Sequence, residues 1–193
     1  MSDARVIGIG HNGGPGAGSG FRAHCWSVAR RDLLGARLPI EVVRLQLRRA
    51  QALGLDYKTY AGVRATTGRD LVAFLYSSNA LGVFRPGQPV PEAEAARIAA
   101  SAAQPHLGCA PRVPAQLLGR QIGAISARPL PPFGASWSAM RQEMKLWLRA
   151  QGLPGDAVLM IGETAHEREM MTAGGLAGFV SGQAFFAGVA DAI

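Results

Sequence analysis

Two apolar runs of strand length, Leu71-Val-Ala-Phe-Leu-Tyr76 and the Ala-Val-Leu-Met-Ile161 that follows Asp156, constrain this chain more than any other stretch of it. A strand that is apolar at successive residues has no face to give to water, so both of its faces must be covered. Such strands belong in a parallel sheet flanked by helices.

The intervening segments supply helices. Pro39 stands where a helix starts, and Ile40 to Leu53 follows with Ile40, Val42, Val43, Leu47, Ala50 and Leu53 on one face and Glu41, Arg44, Arg48 and Gln51 on the other. A short helix is expected from Tyr57 to about Arg64, an alanine-rich one from Glu92 to about Ala103, and another from Trp137 to Leu148, whose Trp137, Met140, Met144, Trp147 and Leu148 recur at helical spacing. Thr164-x-x-Glu167 is a capping box that opens one more. Six prolines obscure the pattern between Pro105 and Pro132, which reads as irregular with a helical turn or a strand inside. The expected fold class is α/β: a helical, basic N-terminal part packed on a small, mostly parallel sheet with flanking helices.

At 193 residues, 48% hydrophobic and 17% charged, the chain is long enough for one packed core and too apolar for wholesale disorder. The expected organisation is a flexible glycine-rich arm over residues 1–20, then one α/β domain over 21–193 with a basic helical subregion at 21–69. Cys25 and Cys109 match no metal or redox spacing, so free thiols in a reducing compartment are expected. Residues 2–5, Ser-Asp-Ala-Arg, lead into glycines rather than an apolar segment, which points to the cytoplasm. Ala173 to Ala190 carries no charge but is diluted by Gly, Ala, Ser181 and Gln183, so a buried strand and a terminal helix are expected there, and no membrane partner.

Charge is unevenly spread. Residues 21–69 hold ten Arg and Lys against three acids, which accounts for the whole formal +7 of the chain. Within them, Ala50-Gln-Ala-Leu-Gly54-Leu55-Asp56-Tyr57-Lys58-Thr59-Tyr60 resembles the helix-turn-helix family of DNA-binding proteins. That resemblance implies a second helix presenting Tyr57, Lys58, Ala61 and Arg64 to a groove. The leading expectation is a non-enzymatic protein that binds nucleic acid through Arg44, Arg48, Lys58 and Arg64; the plain alternative is an ordinary helical corner with solvated arginines.

A second constellation lies at the strand ends, Ser77-Ser78-Asn79 and Gly162-Glu163-Thr164. In open α/β sheets ligands bind outside the carboxyl ends of strands, and a helix amino terminus suits a phosphate. With Gly175-Leu-Ala-Gly178-Phe179 these ends resemble haloacid-dehalogenase-type hydrolases, where a Ser or Thr ends one strand and a Gly-acid pair ends a later one. The resemblance implies a small phosphate-ester or nucleotide hydrolase or transferase acting at Ser77, Ser78, Asn79, Glu163 and Thr164 with a divalent metal. That family's D-x-D after an N-terminal strand, the source of its nucleophile and of a metal ligand, has no counterpart in Arg5 to Gly10. The plain alternative is that polar residues simply end strands.

Other motifs carry less. Gly8-x-Gly10-x-x-Gly13 lacks the full strand before it and the helix after it that dinucleotide binding needs. His11, His24, His106 and His166 show no zinc spacing, and His166 beside Glu163, Glu167 and Glu169 reads either as an acid-base group or, with fewer assumptions, as part of the solvated acidic start of a capped helix. Finally, Gly10-His-Asn-Gly-Gly-Pro15, Trp26, Pro39-Ile-Glu-Val and Leu53-Gly-Leu-x-Tyr57-x-x-Tyr60 resemble a set of bacterial proteins that share this G-H-N-G-G-P opening, over residues 8–60, and that bring no assigned activity.

Overall fold

The structure is a computed structural model that describes residues 38–187. The chain divides into two units, residues 1–43 and 44–193. The glycine-rich arm, Cys25 and the G-H-N-G-G-P string lie outside the described residues.

The elements are α1 (Ile40–Leu53), α2 (Tyr57–Thr67), β1 (Ala73–Ser77), α3 (Glu92–Ala100), β2 (Gln104–Cys109), α4 (Ala115–Gln121), β3 (Ser126–Pro129), α5 (Trp137–Gln151), β4 (Val158–Gly162), α6 (Ala165–Gly174), β5 (Gly178–Ser181) and α7 (Gly182–Phe186). The five strands form one all-parallel sheet in the order β3-β2-β1-β4-β5. The fold class read from the apolar runs is the one found.

Alternate residues of the two central strands feed different cores, because successive side chains on a strand point to opposite faces. Phe74, Tyr76, Leu159 and Ile161 pack with Ala50, Leu53, Tyr60, Ile98, Leu118 and Phe185. Ala73, Leu75, Val158 and Met160 pack instead with Met140, Met144, Trp147 and Leu148 of α5 and Met170 and Ala173 of α6. Every residue of β1 and β4 is buried, as a two-sided strand requires. Among the described residues no helix is long and apolar enough to cross a membrane.

Three differences from the sequence reading have local causes. Within residues 44–53 the buried positions of α1 are Gln46, Ala50 and Leu53, whereas Leu47 is exposed. The helix is turned by its polar anchors: Arg49 donates through Nε to Asp70 at 2.9 Å and through Nη2 to the carbonyl of Leu71 at 2.8 Å, and the Tyr57 hydroxyl donates to Gln46 at 3.4 Å. Helix α3 stops at Ala100, where the N–H of Ser101 donates to the carbonyl of Ile98 and its hydroxyl to the carbonyl of Leu53 at the end of α1, both at 3.1 Å. The proline-rich stretch holds two strands and a helix. Pro105 is tolerated in β2 because its carbonyl still accepts, here from the N–H of Ile125 at 2.8 Å, and Gly108 leaves room for the Leu130 side chain, with which an added Cβ would clash.

Candidate functional site

The order 3-2-1-4-5 fixes where a ligand crevice forms. From β1 the chain winds outward to β2 and β3, then crosses back to β4 and β5 on the other side. The direction of winding therefore reverses between β1 and β4, where the loops leaving the two strands part from each other. Those loops begin with Ser77-Ser78-Asn79 and Gly162-Glu163-Thr164, so the two polar strand ends singled out in the sequence are neighbours.

Most of these side chains are spent on holding the edge together. Ser77 and Ser78 are fully buried. Ser77 Oγ accepts from the N–H of Ala80 at 3.0 Å, and Ser78 Oγ accepts from the N–H of Ala110 at 2.9 Å, tying the end of β1 to the end of β2. Asn79 reaches the other way and donates to Glu167 Oε1 at 3.0 Å. Glu167 Oε2 accepts from the N–H of Glu163 at 2.7 Å and of Thr164 at 2.8 Å, while Thr164 Oγ1 accepts from the N–H of Glu167 at 3.2 Å. The capping box is formed, and the positive end of α6 holds a carboxylate of its own third residue. Gly162 is needed beside it, since a Cβ there would meet the Phe179 ring at 2.6 Å and Glu167 Oε2 at 3.1 Å. Glu163 is exposed and accepts from the N–H of Gln183 at 3.3 Å.

Beside this bridge opens a cavity of about 360 Å³. Pro111 after β2, Leu130, Pro131 and Phe133 after β3, and Met170 of α6 give it apolar walls; Asn79, Thr164 and His166 give it polar ones. The His166 ring is held on three sides. Its Nε2 lies 3.2 Å from the carbonyl of Pro131, its Nδ1 lies 3.9 Å from Glu169, and the Phe133 ring meets it edge-on at 5.5 Å. A carbonyl can only accept, so Nε2 carries the hydrogen and a neutral ring leaves the Nδ1 lone pair available. Phe133 itself is 90% exposed, a large ring left at the mouth with little packing of its own.

Of the site residues expected from the sequence, Asn79 and Thr164 line this cavity, while Ser77, Ser78 and Glu163 do not. The sequence admits His166 as an acid-base group but favours a capped helix start, and it does not single out Phe133, directly after the proline-rich stretch. Among the described residues no group of three or more His, Cys, Asp or Glu is placed to hold a metal ion.

The basic stretch has a different geometry. Gly54 adopts φ +74°, the N–H of Leu55 returns to the carbonyl of Ala50 at 2.9 Å, and Asp56 caps α2 by accepting from the N–H of Thr59 at 2.8 Å. Arg44, Arg48 and Lys58 are exposed, and Arg64 is half-buried against the Tyr60 hydroxyl. Two neighbouring cations are already paired, Arg49 to Asp70 in a half-buried contact and Arg69 to Asp156 at the surface, both through Nε. The +7 read along the chain therefore overstates the charge that this surface offers.

Comparison with protein-family models, with curated proteins and with solved structures finds no match for this chain.

Proposed function

We propose that the carboxyl edge of the sheet is a small-molecule-binding site whose pocket is the cavity around His166. The observation that carries this is the placement of that cavity: it opens at the carboxyl ends of the strands, beside the reversal of winding, with mostly apolar walls and a few convergent polar groups. Its chemistry favours an uncharged, largely apolar molecule with one hydrogen-bonding group for Nδ1 of His166 or the hydroxyl of Thr164. Phosphate is disfavoured, because the amino end of α6 is already neutralised by Glu167 and Glu163 stands beside it. Binding is favoured over phosphate-ester hydrolysis for a second reason. The first described strand ends in Ser77 and runs on into Ser78-Asn79, hydroxyls and an amide where haloacid-dehalogenase-type hydrolases carry two carboxylates.

A library of small neutral fragments, read by melting temperature, tests the proposal. Fragments that raise the melting temperature of the natural chain should not raise that of Ala165→Trp, which fills the cavity, and should raise that of Phe133→Ala less. Hits indifferent to both substitutions would contradict it.

A second reading keeps the basic helices as a nucleic-acid surface, using Arg44, Arg48, Lys58 and Arg64. It is favoured by the capped α1-turn-α2 corner and by the exposed Arg48 and Lys58, whose side chains have no partner among the described residues. Duplex DNA binding that weakens steeply with salt and falls on replacing Arg48 and Lys58 by Ala would support it. No binding at low salt would refute it.

A further inference from the structure

Helix α5 has two working faces. One is buried through Met140, Met144, Trp147 and Leu148. Along its flank run Trp137, Arg141, Lys145 and Arg149, spaced four residues apart and so about 6 Å apart along the axis. All four line an open groove of about 610 Å³, whose far wall is Gly155 and the glycine-ended carboxyl terminus of α6. Trp137 is 49% exposed, and the three cations are exposed with no ion-pair partner among the described residues. The one acid in the groove, Asp156, is already paired with Arg69 at 2.8 Å.

An exposed helix face made only for solubility intersperses opposite charges, because like charges at i and i+4 repel and weaken the helix. Here three like charges follow each other at that spacing, and an indole left half in water stands in line with them. A row of cations calls for a polyanion. An aromatic platform in the same row calls for one with exposed flat rings, which separates single-stranded nucleic acid from an acidic protein and from a duplex with stacked bases. We infer that the groove along α5 binds single-stranded nucleic acid, with a base stacked on Trp137 and phosphates on Arg141, Lys145 and Arg149. This surface is independent of the cavity at the strand ends and of the basic α1-turn-α2 corner.

The test is fluorescence anisotropy of a labelled twelve-nucleotide oligothymidylate titrated with the full chain over a range of salt. Three phosphate contacts on a single strand give a slope of log K against log salt of about −2. Replacing Arg141, Lys145 and Arg149 together by Ala should remove most of that slope. Trp137→Ala should leave the slope and weaken binding roughly five- to hundred-fold. Trp137→Phe should restore most of the affinity, and Arg85→Ala with Arg120→Ala, two exposed cations away from the groove, should change nothing. Melting temperatures of all variants report folding, and the four side chains are exposed, so intact folding is expected. Unaltered affinity and slope in the triple variant, equal affinity for a duplex, or equal affinity for polyglutamate would each overturn the inference.

Discussion

Asn79 and Glu167, 88 positions apart in the chain, are joined by a 3.0 Å hydrogen bond across the boundary between the two halves of the sheet. Asn79 leaves β1, which belongs with β2 and β3; Glu167 belongs to the helix that follows β4. The carboxylate, only 1% exposed, also accepts the backbone N–H groups of Glu163 and Thr164, the two residues just before α6. One side chain thus closes a helix end and fastens the loops that define the crevice.

Glu167→Ala should therefore cost about 3 kcal/mol in urea unfolding, since it strands three donors and removes half of a capping box. Glu167→Gln keeps one acceptor oxygen and turns the other into a donor facing donors, so it should recover little. Asn79→Ala removes one donor and should cost less than either. Equal stability of all three variants and the natural chain would show that the bridge contributes nothing.

Gly182 begins α7 directly against the loop that follows β1: an added Cβ would lie 2.6 Å from the carbonyl oxygen of Ala80 and 2.7 Å from its Cα. Backbone cannot yield as a flexible side chain can. Gly182→Ala should lower stability by about 1–3 kcal/mol, read by chemical denaturation, and should disturb the Asn79 amide resonances. Unchanged stability would mean that α7 is not seated as described.

The two central strands were legible in the sequence because they are continuously apolar, a pattern that only two-sided burial produces. Strand β2 was not, since Gln104-Pro-His-Leu-Gly-Cys109 mixes a proline, a glycine and a histidine, each acceptable for a reason supplied by a neighbour distant in sequence. Strand β3 is four residues at a sheet edge, none of them buried, and gives no periodicity to read. The capping box is local and was read correctly. Its coupling to Asn79 is not local, and neither is the meeting of His166, Pro131 and Phe133 that makes the cavity.

His106 on β2 is buried, with Nδ1 2.8 Å from Ser126 Oγ and its ring edge-on to Trp147 at 5.3 Å. Burial disfavours the charged ring and lowers its pKa below the ordinary 6.5. The unfolded chain then takes up the proton first as the pH falls, so stability is full above about 6.5 and declines from there until the folded ring also protonates. His106→Phe keeps the ring packing and leaves Ser126 bonded to Trp147, so its urea midpoint should fall less between pH 7.5 and pH 5. An identical decline in both proteins would assign the acid sensitivity to other groups.

Cys109, at the end of β2, is a free thiol that burial pushes from 9.0 up to about 11. At pH 8 the folded protein should carry about a hundred-fold less thiolate at this position than the unfolded chain. In a Cys25→Ser background, iodoacetamide should label the native protein at least that much more slowly than the urea-unfolded one. Comparable rates would place the thiol in solvent.

Whether the cavity beside His166 is where this fold takes its ligand can be read from crystals soaked with the fragments that raise the melting temperature. Density should lie against Phe133, Leu130 and Met170, with a polar atom within hydrogen-bond reach of His166 Nδ1. Density elsewhere on the molecule with this cavity empty would contradict it.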